Sequence, residues 1–528
     1  MPRGFQCIVL HAHLPYIRHP EYESFLEENW LFEAVTETYI PLLLLLERLR
    51  ADGYKDCLTL SLSPTLMTML RDPFLQARYL AHMDKLCQLA AREVRRTRSD
   101  PAFAPLARLY QERLEEAVTV FDRQYGRDLV TAFAALQADG VIELITTAAT
   151  HGYLPLLKTE APAVRAQLLV GAEAFRSMVG VPAKGVWLPE CGYYPGLEGL
   201  LEEAGYAYFF VDTHGILNAT PKPYYGLSVP LVCPNGVAAF GRDPTSSRLV
   251  WSREEGYPGD AQYRDFYRDI GFDLDMDYIS PFILDGRTRI HTGFKYHRIT
   301  GPGEHKLPYD PARAMGRVAA HATDFVMRSH RSVNTQRGRS SPTPLIVSPY
   351  DAELFGHWWF EGPQWLEAVI RGLGAEPEAV TLTTPSRYLT QHSTLQSATP
   401  SASSWGDGGY NAFWLNPGND WIYPHLHEAA RRMHAVTQQH GDAAPESLPY
   451  RALQQAARSL LLAQASDWAF IMKSGTAKEY ALRRTRDHLA RFNYLEQCVI
   501  DGAVDERRLQ ALEVMDQLFP TIEPAVYR

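Results

Sequence analysis

The sequence predicts an α/β fold, an incomplete barrel of seven strands with a helical insertion, followed by an all-helical C-terminal domain. Three observations predict it. Seven short β-rich apolar runs, "FQCIVL", "CLTLSL", "VIELIT", "KGVWLP", "AYFFVD", "PLIVSP" and "AVTLTT", each precede a loop and then a helical-period segment. Their apolarity is continuous rather than alternating, as in strands buried on both faces of a parallel sheet. Several of them end in residues with chemical capability: His11 and His13, His151, Glu190, Asp212 and His214, Asp351. A (β/α) barrel gathers such strand ends at one mouth.

In chain order, "MPRGFQCIVLHAH" has too short an apolar run for a signal peptide and places histidines where a cleavage site would stand, so export is not expected. "PLLLLLERLRADG" is far shorter than the roughly 20 apolar residues that a bilayer requires and reads as a buried helix. Leu106, Leu109, Tyr110, Leu114, Ala117, Val118 and Phe121 follow three-and-four spacing, within a helical insertion at about 80–136. From about 215 to 310 the chain is rich in Gly, Pro and aromatics and too long for a structureless connector, which marks it as functional. The polar, basic "RSVNTQRGRSSPTP" at 331–344 reads as a solvated loop. "SATPSASSWGDGGYNAFWLNPGNDW", 397–421, is loop-like in composition, yet carries Trp405, Trp414 and Trp421. Beyond it, 424–440, 450–473 and 476–495 read as amphipathic helices. The expected division is a catalytic barrel over 1–395 and a helical domain over 396–528.

A net charge of -9 without dense Lys/Arg blocks argues against nucleic acid as a partner. Six scattered cysteines without a CxxC pair indicate neither a disulfide framework nor a thiolate zinc site, and fit a reducing cytoplasm. No membrane partner is expected. Ten tryptophans and many tyrosines suit either core filling or stacking on sugar faces.

The densest chemistry is "VSPYDAELFGHWWFEGPQWLE", which sets Asp351, Glu353, His357 and a Trp-Trp pair directly after an apolar run. Buried charges cost several kcal/mol unless paired or used. "VWLPECGYYPG" places Glu190 at another strand end, beside Trp187. Two acids from different strands make a carboxylate pair for glycosyl chemistry, one nucleophile and one acid; the bland alternative for each is a cap or a salt bridge, and for Glu353 the two readings balance. "LHAHLPY" points His11 and His13 to one face, as metal ligands or as hydrogen-bonding groups, and "ATHGYLPLL" offers His151 with the same ambiguity. "SDWAFIMKSGTA" interrupts an apolar helix with Asp467 and Trp468, a buried junction or a ligand contact. No P-loop, GxGxxG or GxSxG signature appears.

With "HAHLPY", "THGYLPLL", "GVWLPECGY", "SPYDAELFGHWW" and "SSWGDGGYNAFW" in that order, the chain resembles glycoside hydrolase family 57, over nearly its whole length. Within that family "FGRDPTSSRLVWSREEGYPGD", "TGFKYHRITG" and "LLLAQASDWAFIMKSGTA" resemble the 1,4-α-glucan branching enzymes rather than the amylases or 4-α-glucanotransferases. The resemblance implies a (β/α)7 barrel, Glu190 as nucleophile and Asp351 as general acid/base. It further implies sugar contacts from His11, His13 and His151, a glucan groove lined by Trp405 and Trp414, and an α-1,4-glucan as donor and acceptor. Trp187 and Asp467 complete the expected substrate-binding set. No cofactor and no metal are expected. Branching enzymes of the family carry a tyrosine on a loop over the cleft, near "KPYYGLSVPL"; Tyr224 and Tyr225 are the candidates, with Ser228 at the position itself. The rival readings are an amylase or 4-α-glucanotransferase, a metal-dependent deacetylase, and a non-catalytic glucan-binding protein.

Overall fold

The computed structural model describes residues 2–252, 254–301, 303, 305–336 and 342–528. Nine strands form one sheet: β1 Gly4–Ala12, β2 Leu58–Leu62, β3 Ile142–Thr147, β4 Gly185–Trp187, β5 Tyr208–Val211, β6 Leu231–Val232, β7 Ala238–Gly241, β8 Leu345–Asp351 and β9 Val380–Leu382. Their order is β6-β7-β5-β4-β3-β2-β1-β8. The path from β7 to β8 is parallel throughout and makes the incomplete barrel of seven strands. β1 is buried along its whole length, as continuous apolarity requires of a central strand. Between β7 and β8 no ladder forms among the described residues. Two backbone bonds cross that seam, Asp243 N–H to the Val347 carbonyl at 2.9 Å and Leu345 N–H to the Ser228 carbonyl at 2.8 Å, beside side-chain bonds from Ser348 and Tyr350 to Ser246.

The sequence reading reached seven strands with one exchanged. "AVTLTT", counted as a barrel strand, is β9, which pairs only with the first residues of β1. β7, "AAFG", was hidden in the Gly- and Pro-rich stretch, because four residues, three of them small, are too few to give a periodicity to detect. The register then fixes the site: His11 lies level with Asp351 on one side and with Ser61 on the other.

The insertion comprises helices Pro73–Thr97, Ala104–Val118 and Leu129–Ala138. The first starts at Asp72, whose carboxylate caps Phe74 N–H, and buries Leu75, Tyr79, Met83, Leu86 and Leu89 at helical spacing. Of the expected loop at 331–344, residues 331–336 are instead the end of helix Pro311–Gln336, whose buried Ala314, Val318, Phe325 and Val333 override the polar composition; residues 337–341 lie outside the described residues, and 342–344 are loop.

The first part of the expected C-terminal unit, 396–421, holds no α-helix and runs along the barrel, bridging Val232 at Ser397, Thr220 at Thr399 and Tyr193 at Ser403. The helices that follow are Ile422–His440, Leu448–Ala463, Ser466–Ser474, Lys478–Ile500 and Glu506–Met515. The segment 450–473, expected as one helix, is broken at Ala465 (φ -55°, ψ 131°). That extended residue bridges Gly152, and Ser466 N–H donates to the His151 carbonyl at 3.0 Å. The break docks the helical domain on the barrel mouth.

Candidate active site

The C-terminal ends of the strands surround a cavity of about 870 Å3. After β4 the chain turns sharply through Pro189–Cys191, with Glu190 (φ 60°, ψ 23°) and Cys191 (φ 51°) in the left-handed region. Non-glycine residues held there cost about 1–3 kcal/mol each and persist only where their surroundings over-determine them. Here Trp405 does so twice: its N–H donates to the Glu190 carbonyl at 3.0 Å, and its indole N–H to Oε2 at 2.9 Å. Ser466 donates to Oε1 at 2.9 Å.

Asp351 ends β8 and reaches the same cavity. Glu353, two residues on, accepts from Tyr39 and also lines it. Tyr39 closes a single π-turn, Val35–Tyr39, a local insertion frequent at functional sites. Burial pushes all three carboxyls up, Glu190 and Glu353 to about 7 and Asp351 to about 6. For Glu190 the nearby Asp467 and Asp351 push the same way, while the Trp405 and Ser466 hydrogen bonds oppose. For Asp351, Arg242 and His13 oppose burial. Arg242 follows β7 and is held by Asp212 at 3.3 Å. Taken one at a time, Asp351 is the stronger acid. Two hydrogen bonds reach Glu190 and none reaches Asp351 among the described residues, an arrangement that favours an anion on Glu190, whereas Arg242 and His13 favour one on Asp351.

The histidines form a directed chain. An ionised Glu190 can only accept, so Ser466 donates to it and must receive Nδ1–H of His151, at 2.9 Å. The bare Nε2 of His151 then accepts from His11 at 3.0 Å, and His11 Nδ1 accepts from Ser61 at 3.1 Å. Both imidazoles must be neutral for this, and burial, followed by the neighbouring His13, holds both well below the usual histidine range. His13 differs: burial disfavours its cation, but Asp467, 3.1 Å away, outweighs that and raises it.

His11, His13, His151, Glu190, Asp351, Trp405, Trp414 and Asp467 thus meet in one cavity. Trp187 does not reach it. It is fully buried, stacked against His11 (5.0 Å, 14°) and edge-on to Trp405, and supports both instead of touching a sugar. Of the Trp-Trp pair, Trp358 lines the cavity while Trp359 is buried in the core. Neither Tyr224, Tyr225 nor Ser228 lines the cavity. Ser228 is buried in the seam beside β8, and Tyr224 is 77% exposed. Glu353 and Trp358, singled out in the sequence, line the cavity, whereas Arg242, Trp251 and Ser466 escaped the sequence reading of the site; Arg242 and Trp251 stood in a quoted motif, but behind the undetected β7.

His13, His151 and Asp467 are the one group among the described residues whose ligand atoms lie close enough to hold a metal, within 4.8 Å of one another. Within the group His13 Nε2 bonds to Asp467, while His151 also bonds to Ser466 and His11, and His13 Nδ1 is buried without a partner. Among the described residues no helix is long and apolar enough to cross a membrane.

The model of glycosyl hydrolase family 57 matches residues 7–397, and that of the 1,4-alpha-glucan branching enzyme C-terminal region matches 425–527. A 1,4-alpha-glucan branching enzyme of Thermococcus kodakarensis is 33% identical over 99% of this chain and 78% of its own. The crystal structure of that organism's branching enzyme, in complex with glucose, superposes with a TM-score of 0.88 at 32% identity, over 99% and 96% of the two chains. The crystal structure of an alpha-amylase of Thermotoga maritima superposes with a TM-score of 0.93 at 43% identity, over 99% of both.

Proposed function

The chain belongs to glycosyl hydrolase family 57, and on that footing we propose that it is a 1,4-α-glucan branching enzyme working by a retaining double displacement. The observation that carries the reading is Glu190 and Asp351 in one cavity, from β4 and β8, with hydrogen-bond donors on Glu190 alone. The match of residues 425–527 to the branching-enzyme C-terminal region supports the branching outcome.

Glu190 attacks C1 of an α-1,4-linked glucose while Asp351 gives its proton to the departing glycosidic oxygen. The anion formed on Asp351 is stabilised by Arg242 and by His13. Asp351 then takes the proton of an acceptor 6-hydroxyl, which attacks C1 and releases Glu190, leaving an α-1,6 branch. The His13–Asp467 pair offers polar atoms to the sugar held at Glu190. His11 and His151, whose ring nitrogens are engaged with each other, Ser61 and Ser466, line it with their rings. Trp405 gives it a flat face, with the nearly buried Trp414 stacked on Tyr153 in the wall. Water in place of the acceptor gives hydrolysis.

A second reading, an α-amylase, is favoured by the name of the Thermotoga maritima relative. Amylose incubated with the protein decides by proton NMR: new α-1,6 linkages are expected, and their absence beside rising reducing ends makes the chain an amylase. Activity is expected to survive dialysis against EDTA; loss with recovery on added zinc moves the reading to metal-dependent chemistry at His13, His151 and Asp467.

A further inference from the structure

Beside the catalytic cavity lies a second one, of about 330 Å3, between helix Glu28–Ala34 with the turns that follow it, the insertion helices Pro73–Thr97 and Ala104–Val118, and residues 291–294. Its wall is largely apolar, with Phe32, Ile40, Leu86, Leu109 and Phe294. Two guanidinium groups belong to it. Arg264 is only 4% exposed, and its Nε and Nη2 are buried without a hydrogen-bond partner. Arg113 comes from the insertion, and both groups stand over the ring of Phe360, at 4.2 and 4.1 Å. Among the described residues neither makes a salt bridge with a carboxylate. Two cations that repel each other in apolar surroundings are unfavourable unless an anion joins them.

The other charges of this cavity are already engaged or solvated. Glu37 holds His357 at 2.7 Å, Arg48 holds Glu367 at 2.6 Å, and Glu116 is exposed. Burial raises Glu33 to about 7, so it carries only part of its charge near neutrality. Glu37 and the buried Glu361, which accepts the Arg264 backbone N–H at 3.1 Å, offset the two guanidiniums in part without a salt bridge, and burial raises Glu361 as well, so positive charge remains at the inner wall. We propose that this cavity binds a small organic oxyanion, a phosphate or carboxylate on a compact body, gripped by Arg113 and Arg264 with the body against the apolar wall. The guanidinium fork suits either head group by paired N–H···O bonds.

Such a ligand would touch the glucan site without entering it. Glu33 faces both cavities, and Phe266, two residues beyond Arg264, stacks on Trp358 (4.3 Å, 23°) of the catalytic cavity. The test is calorimetric titration of the full chain with phenyl phosphate, glucose 6-phosphate and benzoate, with benzamide as the uncharged control. At least one anion is expected to bind and benzamide not to. Arg113→Gln, at the less buried of the two sites, is expected to weaken that binding about tenfold while branching of amylose without anion matches the wild type. Binding of the phosphates alone identifies a phosphorylated compound, and binding of benzoate an organic acid; either supports the site. The proposal is overturned if none of the three anions binds, or if Arg113→Gln and Arg264→Gln both bind them as tightly as the wild type.

Discussion

Ser466, from the helical domain, donates its hydroxyl to Oε1 of Glu190 at 2.9 Å, and its own hydroxyl oxygen, Oγ, receives Nδ1–H of His151 at 2.9 Å. The proposed nucleophile is therefore aligned by a residue 276 positions later in the chain. Its charge is stabilised by a hydroxyl whose own direction is fixed by a neutral imidazole. Ser466→Ala should leave the fold intact, because the side chain is small and its backbone bond to His151 persists. A hydrogen bond to a charged group contributes about 1.5–3 kcal/mol, so turnover should fall about ten- to a hundredfold. Since that bond lowers the Glu190 pKa, the acid limb of kcat/KM should move to higher pH. An unchanged limb with full activity contradicts the directed chain.

Glu190→Gln and Asp351→Asn should each remove nearly all activity with unchanged circular dichroism, since loss of a nucleophile or acid/base lowers rates by several powers of ten. A variant keeping a tenth of wild-type turnover would strip that residue of its role.

Much of this site was legible because strand ends carry side chains to one mouth: Glu190 and Asp351 stand directly after apolar runs, and the register brings His11 level with Asp351. What was not legible depends on partners distant in sequence. Ser466 and Arg242 have no local pattern of their own; each acts through a neighbour supplied by another element, Glu190 and Asp351 respectively. Trp187 misled for the opposite reason: adjacency to Glu190 in sequence put it on a strand of alternating direction, and its indole points into the barrel beneath His11. The Ser228 expectation failed because sequence distance from the strand ends says nothing of the seam between β7 and β8, where its carbonyl takes Leu345 N–H.

Arg242→Gln tests the electrostatics of the acid. Arg242 opposes the rise that burial imposes on Asp351, so its removal should raise that pKa further. The alkaline limb of kcat/KM should then move to higher pH, whatever happens to the maximum rate. A shift to lower pH, or none, is incompatible with the proton residing on Asp351.

Asp467→Asn tests the His13 pair through stability. A histidine whose pKa is raised on folding contributes stability that is fully present below its unfolded value, about 6.5, and lost as pH rises through the folded value. Asp467 raises it most, with Glu190 and Glu353 adding to it. Urea unfolding should show a larger loss for Asp467→Asn near pH 5 than near pH 9. Equal losses at both pH values would mean that His13 is neutral throughout.

Trp358→Ala tests which residue limits water at the glycosyl-enzyme. Tyr224 and Tyr225 lie outside the cavity and Ser228 inside the wall, whereas Trp358 lines the cavity, half exposed, against Phe266. In the proposed mechanism hydrolysis and branching share the covalent intermediate, so a change of about 1.4 kcal/mol between the two attacks alters their ratio tenfold. Removing the indole opens space for water and deprives an acceptor sugar of a stacking face. Reducing-end release should therefore rise relative to new α-1,6 linkages in Trp358→Ala and stay as in the wild type in Tyr224→Ala. Ser228→Tyr should instead destabilise the fold by about 1–3 kcal/mol through overpacking of the seam. Should Tyr224→Ala shift the partition and Trp358→Ala leave it alone, the residue guarding the intermediate belongs to the loop at 222–228, and the cavity wall at Trp358 serves the donor chain only.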